Sequence, residues 1–537
     1  MPSLLPIIMG AISVVYISLL ALQRLTQDQD EPKPISDGIP FVTPILNMIS
    51  KGGNLHRVLS CLMILVLFQL AFRDQYKLPI YTLRLPGMRM YVVNSRPLIT
   101  AIQGQFRTLS FTAIEAAIAA NVIGVEKATN DIIGSNLGRD SGYLMRFPKY
   151  VHHALSAGPG LDAMNRKSIQ VLADSLDKWA TSSTPATVPM FEWVRHELLL
   201  ASTDAVYGPK NPFRDPAMEK AWYEFEPKLM VFVLNLWPRV LAAKAFRARE
   251  YMVQVWERYF DEGWHEQGSE LIKTRVKIND DFQIPLKETA RIEIGGSQAI
   301  LTNTLPAAFW VAYHVFSDPV VLADIRSELL QGVTEDPAEG TCTIDLNFVT
   351  SSCPILLSTM KETMRIHNTN AASRIVMEDY RLDQKILLKK GSTILMPAHV
   401  QHTDRDVWGD DVDVFNHRRF LRGPSGGQRV NPVAFRGFGG GTTLCPGRHF
   451  ATSEMLMLAA LLALRFDISP ASGKWVAPTT RNSPSSNAMP VPDWDFDVAL
   501  CPRDGGKKTW KVSFSGHKRA MEISAEDMEG ATPHLGG

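Results

Sequence analysis

Between Phe438 and Ala451 the chain reads FGGGTTLCPGRHFA, three successive glycines and a Cys-Pro-Gly step set directly before a long apolar segment, Phe450 to Leu464. Glycines here let the backbone approach a flat ligand closely and enter left-handed conformations that other residues avoid. Cys445 stands just ahead of the helix that the apolar segment implies, where backbone N–H groups and the positive helix end favour a thiolate. A sulfur so placed is poised to hold a metal. Taken alone, the same text also reads as a glycine-rich turn with a cysteine buried for packing. The other cysteines, Cys61, Cys342, Cys353 and Cys501, are scattered without a CxxC pair, which argues against a disulfide framework or a zinc site and for a reducing compartment.

The spacing of Phe438, Gly441, Cys445, Gly447 and Ala451 resembles the FxxGxxxCxGxxxA haem-binding loop of the cytochrome P450 family. Glu362-Thr363-Met364-Arg365 resembles its ExxR helix, and Phe415-Asn416-His417-Arg418-Arg419-Phe420 resembles the segment that supplies a second arginine. ExxR alone is a common pair on a solvated helix face. In this order with the cysteine loop it is specific. The resemblance implies haem b with Cys445 as axial thiolate ligand, Phe438, Gly441, Gly447 and Arg374 around it, and a salt-bridge triad of Glu362, Arg365 and Arg419. Such a triad is stable only if every buried charge is paired.

Upstream, Gly295 to Tyr313 reads as one long apolar helix with a polar island at Thr302, Asn303 and Thr304, just before Pro306. A polar group beside a helical proline suggests a distortion at which a freed carbonyl and a hydroxyl face a cavity. A threonine bonding back to its own helix is the plainer reading. The resemblance makes Thr304 the oxygen-side threonine and Asn303 its catalytic neighbour, in a branch similar to sterol 7-hydroxylases, prostacyclin synthase and fungal secondary-metabolism oxidases. Asn303 departs from the family's frequent acid, since an amide cannot relay a proton by ionising. Thr443 departs too, standing where a base often meets a haem propionate. The resemblance makes Arg374 the base expected to compensate, a surface strand arginine being the plainer reading.

The fold this implies is the P450 fold, mostly α with small β-sheets, the haem lying between a long central helix and the Cys-bearing loop. Apolar residues recur at three- and four-residue intervals over Leu161 to Trp179, Phe191 to Tyr207 and Ala242 to Glu262, as in helices packed on a core. Ile80 to Asn94 alternates around a Pro-Gly turn as a hairpin does, and strand text returns at Arg374 to Ile394 around Gly391. Phe232 and Trp237 fit pocket or lid positions, core packing being the plainer reading.

The segment 4–22, LLPIIMGAISVVYISLLAL, carries no charge and is about long enough to cross a bilayer as a helix. No Lys or Arg precedes it and no small-residue cleavage site follows, so it reads as an uncleaved anchor. The expected organisation is an anchor at 1–24, a proline-containing tether at 25–40, an oxygenase body at 41–515 and a flexible tail at 516–537. A second apolar run, Val58 to Phe72, fits a buried or interfacial helix or lies outside the folded body. With 56 Lys+Arg against 55 Asp+Glu the charge is +1, which excludes the basic footprint of a nucleic-acid binder.

The resemblance further implies a monooxygenase, because an anionic sulfur ligand pushes electron density toward O–O cleavage of dioxygen. Its expected partners are an NADPH-dependent FAD/FMN reductase docking on the thiolate side near Arg448, membrane lipid at the endoplasmic reticulum with the body cytosolic, and a lipophilic terpenoid, sterol or polyketide substrate. The rivals are a haem-thiolate isomerase or dehydratase acting on a peroxide without NADPH, and a non-enzymatic haem-thiolate sensor.

Overall fold

The computed structural model describes residues 4–35, 41, 78–85, 87–180, 186–421, 432–484, 486–503, 508–515, 521, 523, 524 and 527, with side chains from 13 onward. The run Val58 to Phe72 lies outside the described residues.

Helices dominate and pack around two central ones that are apolar on nearly every side. One is α6, Arg448–Arg465, whose residues are buried from Thr452 to Arg465. The other is α4, Thr304–Ser317, buried from Leu305 to Tyr313 and packed against α6. A helix with no polar face has no stable place except a core. The periodic segments form helices at Pro159–Ala180, Met190–Tyr207 and Ala243–Asp261.

The run read as one long helix is two, α3 (Leu286–Leu301) and α4, broken at Thr302 and Asn303. Pro306 is the cause. It has no N–H to donate to the carbonyl four residues back, so Thr302 O loses its helical partner.

The principal sheet has five strands in the order β1, β2, β5, β4, β3, from Ile80–Leu85, Met88–Val93, Thr393–Pro397, Ala371–Val376 and Leu109–Ser110. β1 and β2 form the hairpin, with Leu85 opposite Met88 and Gly87 in the left-handed region at φ +71°. β5 runs parallel to β2 and antiparallel to β4, placing Ile394 beside Tyr91 on one side and Arg374 on the other.

The stretch read as a proline-containing tether is bound to the sheet along its described part. Pro34 bridges to Thr82, Thr82 donates to Pro32 O at 2.5 Å, and Tyr91 donates to buried Glu31 at 2.8 Å. Prolines at 32 and 34 suit an extended edge as well as a spacer, and Ile35 supplies the apolar contact that decides between them. Helix α1 is Leu4–Thr26. Among the described residues no single helix is long and apolar enough to cross a membrane, and Ser13–Thr26 is a shorter apolar helix. Within the tail, Met521 and Ile523 are buried at 7% and 1% exposure.

Candidate active site

The site is built outward from Glu362, on α5 (Pro354–His367), which has no accessible surface. Arg365 lies on the same face three residues later and donates to it twice, Nε at 2.7 Å and NH2 at 2.8 Å. Arg419 Nε donates to the same carboxylate at 2.9 Å, and Asn416 N adds a fourth bond at 3.1 Å. Two guanidinium cations against one carboxylate leave a positive charge over. Asp411 answers it, accepting from Arg419 NH1 at 2.9 Å. As one of a run of surface aspartates, Asp411 carries no sequence signal for this role.

From this cluster two hydrogen-bonded lines run to the glycine loop. Arg365 NH1 donates to His402 O at 2.7 Å, and His402 Nε2 accepts from Arg436 N at 2.8 Å. Burial holds the His402 imidazole down at about 3, so it stays a neutral acceptor. Asn368, just past α5, donates to Gly437 O at 3.1 Å. The loop is thus hung from the charge cluster by its backbone.

Gly439 and Gly441 are left-handed, at φ +81° and +59°, and a Cβ on Gly440 would fall 2.1 Å from Arg436 NH1. Cys445 N donates to Phe438 O at 2.9 Å, closing the turn. Cys445 is partly accessible at the head of α6. Burial pushes its thiol up, against the Gly447 N–H and the Arg448 charge, which pull it down. The backbone and helix end alone do not give a thiolate. A coordinated cation in place of the proton does.

At the α3–α4 break, the freed Thr302 carbonyl accepts from Asn487 Nδ2 at 3.2 Å rather than facing a void. Asn303 Oδ1 accepts from Ala488 N at 2.7 Å and Met489 N at 3.2 Å, so this amide clamps the loop 486–489 to the break. Thr304 follows at the start of α4, half-buried beside exposed Asn303 and ahead of the buried run from Leu305. Asn487 was invisible to sequence reasoning, because its partner lies 185 residues away.

The cytochrome P450 family model matches residues 299–492, the stretch holding the break, the charge cluster and the cysteine loop. The chain is 34% identical to the cytochrome P450 monooxygenase nodJ of Hypoxylon pulicicidum over 490 residues, 89% of this chain and 91% of that one. The chain belongs to the cytochrome P450 family. A P450 monooxygenase of Gibberella zeae is 26% identical over 92% of each chain, and P450 7A1 of Rattus norvegicus is 26% identical over 44% of this chain and 50% of its own. Retinoic acid-bound cyanobacterial CYP120A1 shares the fold at TM-score 0.66 and 18% identity, over 89% of this chain and 100% of its own.

The family implies a haem, and the residues of this P450 fit one. Arg374 on β4 is 1% exposed, yet its Nε has no partner. NH2 donates to Thr443 Oγ1 at 2.9 Å, so the residue standing where a base is frequent anchors the neighbouring base instead. Burial and the nearby Arg436 charge bring the Arg374 guanidinium down to about 10. The acid facing it, Glu115 on α2 (Thr112–Ile118), is raised by burial to about 7. A buried guanidinium with an unpartnered Nε and only a burial-raised acid opposite suits a haem carboxylate, and Arg436 places a second, half-buried guanidinium nearby. Arg436 escaped sequence reasoning because it precedes the loop motif. A cleft lined by Gln103, Ala372, Met396, Arg436 and Gly439 runs beside the same loop.

Other expectations move. Phe232 is a core residue packed edge-on to Phe225, and Trp237 is 78% exposed, so neither lines a pocket. Arg448 is paired with Asp527 and is 11% exposed at the side chain, so it is not a free docking cation.

Proposed function

We propose that this P450 monooxygenase binds haem b through Cys445 and inserts one oxygen atom from dioxygen into a lipophilic small molecule of terpenoid, sterol or polyketide type. The observation that carries the reading is Cys445 at the head of α6, its sulfur receiving the Gly447 N–H on a loop hung by its backbone from the Glu362 cluster. The bound haem supplies the activation of dioxygen. The chain's own residues do the rest. Arg374 and Arg436 would pair with the haem carboxylates, and Phe438, Gly441 and Gly447 shape the loop beneath it. The Thr304 hydroxyl holds a proton beside the break, and Asn303 and Asn487 keep the break from closing by satisfying it from the loop 486–489. The Glu362, Arg365 and Arg419 cluster keeps the loop in register.

Electrons reach this enzyme from NADPH through an FAD/FMN reductase at the endoplasmic reticulum membrane. Helix α1 serves as the anchor, and Trp237, Val240 and Leu241, exposed by 78, 75 and 52%, form a second apolar contact with lipid. The body is 41–515, joined by the packed residues 27–35. The many fungal monooxygenases among its relatives support a place in secondary metabolism.

The test is purified protein with reductase, NADPH and an extract from a host lacking the gene, under labelled dioxygen. A reduced-plus-CO spectrum of the thiolate type and one labelled oxygen atom in the product are expected. A second reading, rearrangement of a peroxide without NADPH, is favoured by Asn303, whose oxygen is spent on Ala488 and Met489. Unlabelled product formed anaerobically would select it.

A further inference from the structure

Arg448 opens α6 two residues after Pro446, and its NH1 donates to the Cys445 carbonyl at 3.3 Å. Its remaining donors turn away from the loop and meet a carboxylate from the far end of the chain. Nε lies 3.1 and 3.2 Å from the two oxygens of Asp527, and NH2 lies 2.5 Å from Oδ1. His449 Nε2 stands 3.5 Å from the same oxygen.

Asp527 is itself held in place. Its Oδ2 accepts from Ser524 N at 2.9 Å, Ser524 Oγ at 3.0 Å and Ile523 N at 3.3 Å. Ile523 and Met521, at 1% and 7% exposure, fasten this turn to the body by burial. A forked guanidinium–carboxylate pair is both rigid and charge-cancelling. The pair therefore fixes where Arg448 sits against Cys445 and removes most of its field from the sulfur. At the several-ångström distances involved, a lone cation in a dry site would stabilise added negative charge strongly.

We propose that Asp527 is a positioning residue for the cysteine loop, holding Arg448 on the Cys445 carbonyl and cancelling its charge, so that the C-terminal segment tunes the haem reduction potential. The proposal rests on the reading of Cys445 as the haem ligand. It makes the last residues of the chain part of the electron-accepting machinery. Asp527 acts through Arg448.

The experiment is a reductive titration of the full-length holoprotein and three variants, with the reduced-plus-CO spectrum of each. Asp527→Asn keeps the shape and most donors but deletes the anion, leaving the Arg448 charge uncompensated. The potential moves positive, by about a tenfold change in the one-electron equilibrium, which is about 59 mV. Arg448→Gln deletes the cation and moves it negative. The double variant removes both charges and returns toward the wild-type potential, because neither an uncompensated cation nor an uncompensated anion is left beside Cys445. Asp527→Glu restores the original value. A chain ending at Ser515 is a second way to remove the anion and also shifts positive. Single variants that leave the potential unmoved, or both move it the same way, would overturn the proposal. An unmodified protein without the thiolate-type CO band would instead defeat the Cys445 reading, before any variant is compared.

Discussion

Arg374 shows how one side chain is assigned by what it lacks. It is buried, bonded to Thr443 on one side, and left with an unpartnered Nε on the other. Arg374→Ala is expected to weaken haem retention by about 1.5–3 kcal/mol, roughly tenfold to a hundredfold, read as faster haem loss to a scavenger protein. Arg374→Lys recovers only part, because a single ammonium cannot serve Thr443 and a carboxylate in the same fork geometry. Unchanged haem loss in the alanine variant would reduce Arg374 to a sheet residue. Thr304→Ala is expected to leave haem binding intact while oxygen consumption separates from product formation, and preserved coupling would make Thr304 a packing residue. The sequence pointed to Arg374, Thr304 and Cys445 through local spacing. It was silent on Arg436, Asp411 and Asn487, whose partners are distant along the chain.

The decisive element is the interrupted central helix. Pro306 was legible as a breaker, but which group would answer the orphaned Thr302 carbonyl was not. Asn487 answers it from the loop after the last long helix. Asn487→Ala is expected to cost about 1–3 kcal/mol by leaving that carbonyl buried and unmet. Adding Pro306→Ala returns an N–H at the helical position and recovers part of the loss. The double-mutant cycle, measured by thermal unfolding, is expected to show coupling of about 0.5–3 kcal/mol. Additive losses would show that the proline and the loop do not compete for the same carbonyl. Straightening the helix is also expected to lower product coupling, because the break positions the Thr304 hydroxyl.

At the scale of the whole molecule, the core pins several titratable groups in one form. Burial brings His402 and His367 down to about 3, and His367 Nε2 lies 2.8 Å from His314 Nε2. An unfolded imidazole titrates near 6.5, so these groups contribute stability above that pH and lose it as pH falls toward 3. Each is worth about 1.4 kcal/mol per pH unit over that window. Unfolding midpoints are expected to fall steadily from pH 6.5 to 4.5, and His402→Gln to flatten the slope by one proton. A slope unchanged by the substitution would mean His402 is charged in the fold. Deleting residues 1–24 is expected to weaken membrane attachment and leave the packed residues 27–35 on the sheet. Attachment that persists after Trp237→Ser is added would place the lipid contact elsewhere. The sequence by itself determined the family and the helical character of the body and pointed to Cys445 as the candidate ligand, because loop glycines, ExxR spacing and apolar periodicity are local patterns. Only the tertiary structure decided that the tether is packed, that Asn303 is a clamp, that Asp411 balances the charge cluster and that Asp527 reaches Arg448. Each of those depends on groups far apart in the chain meeting where water is excluded, and no local pattern records that meeting.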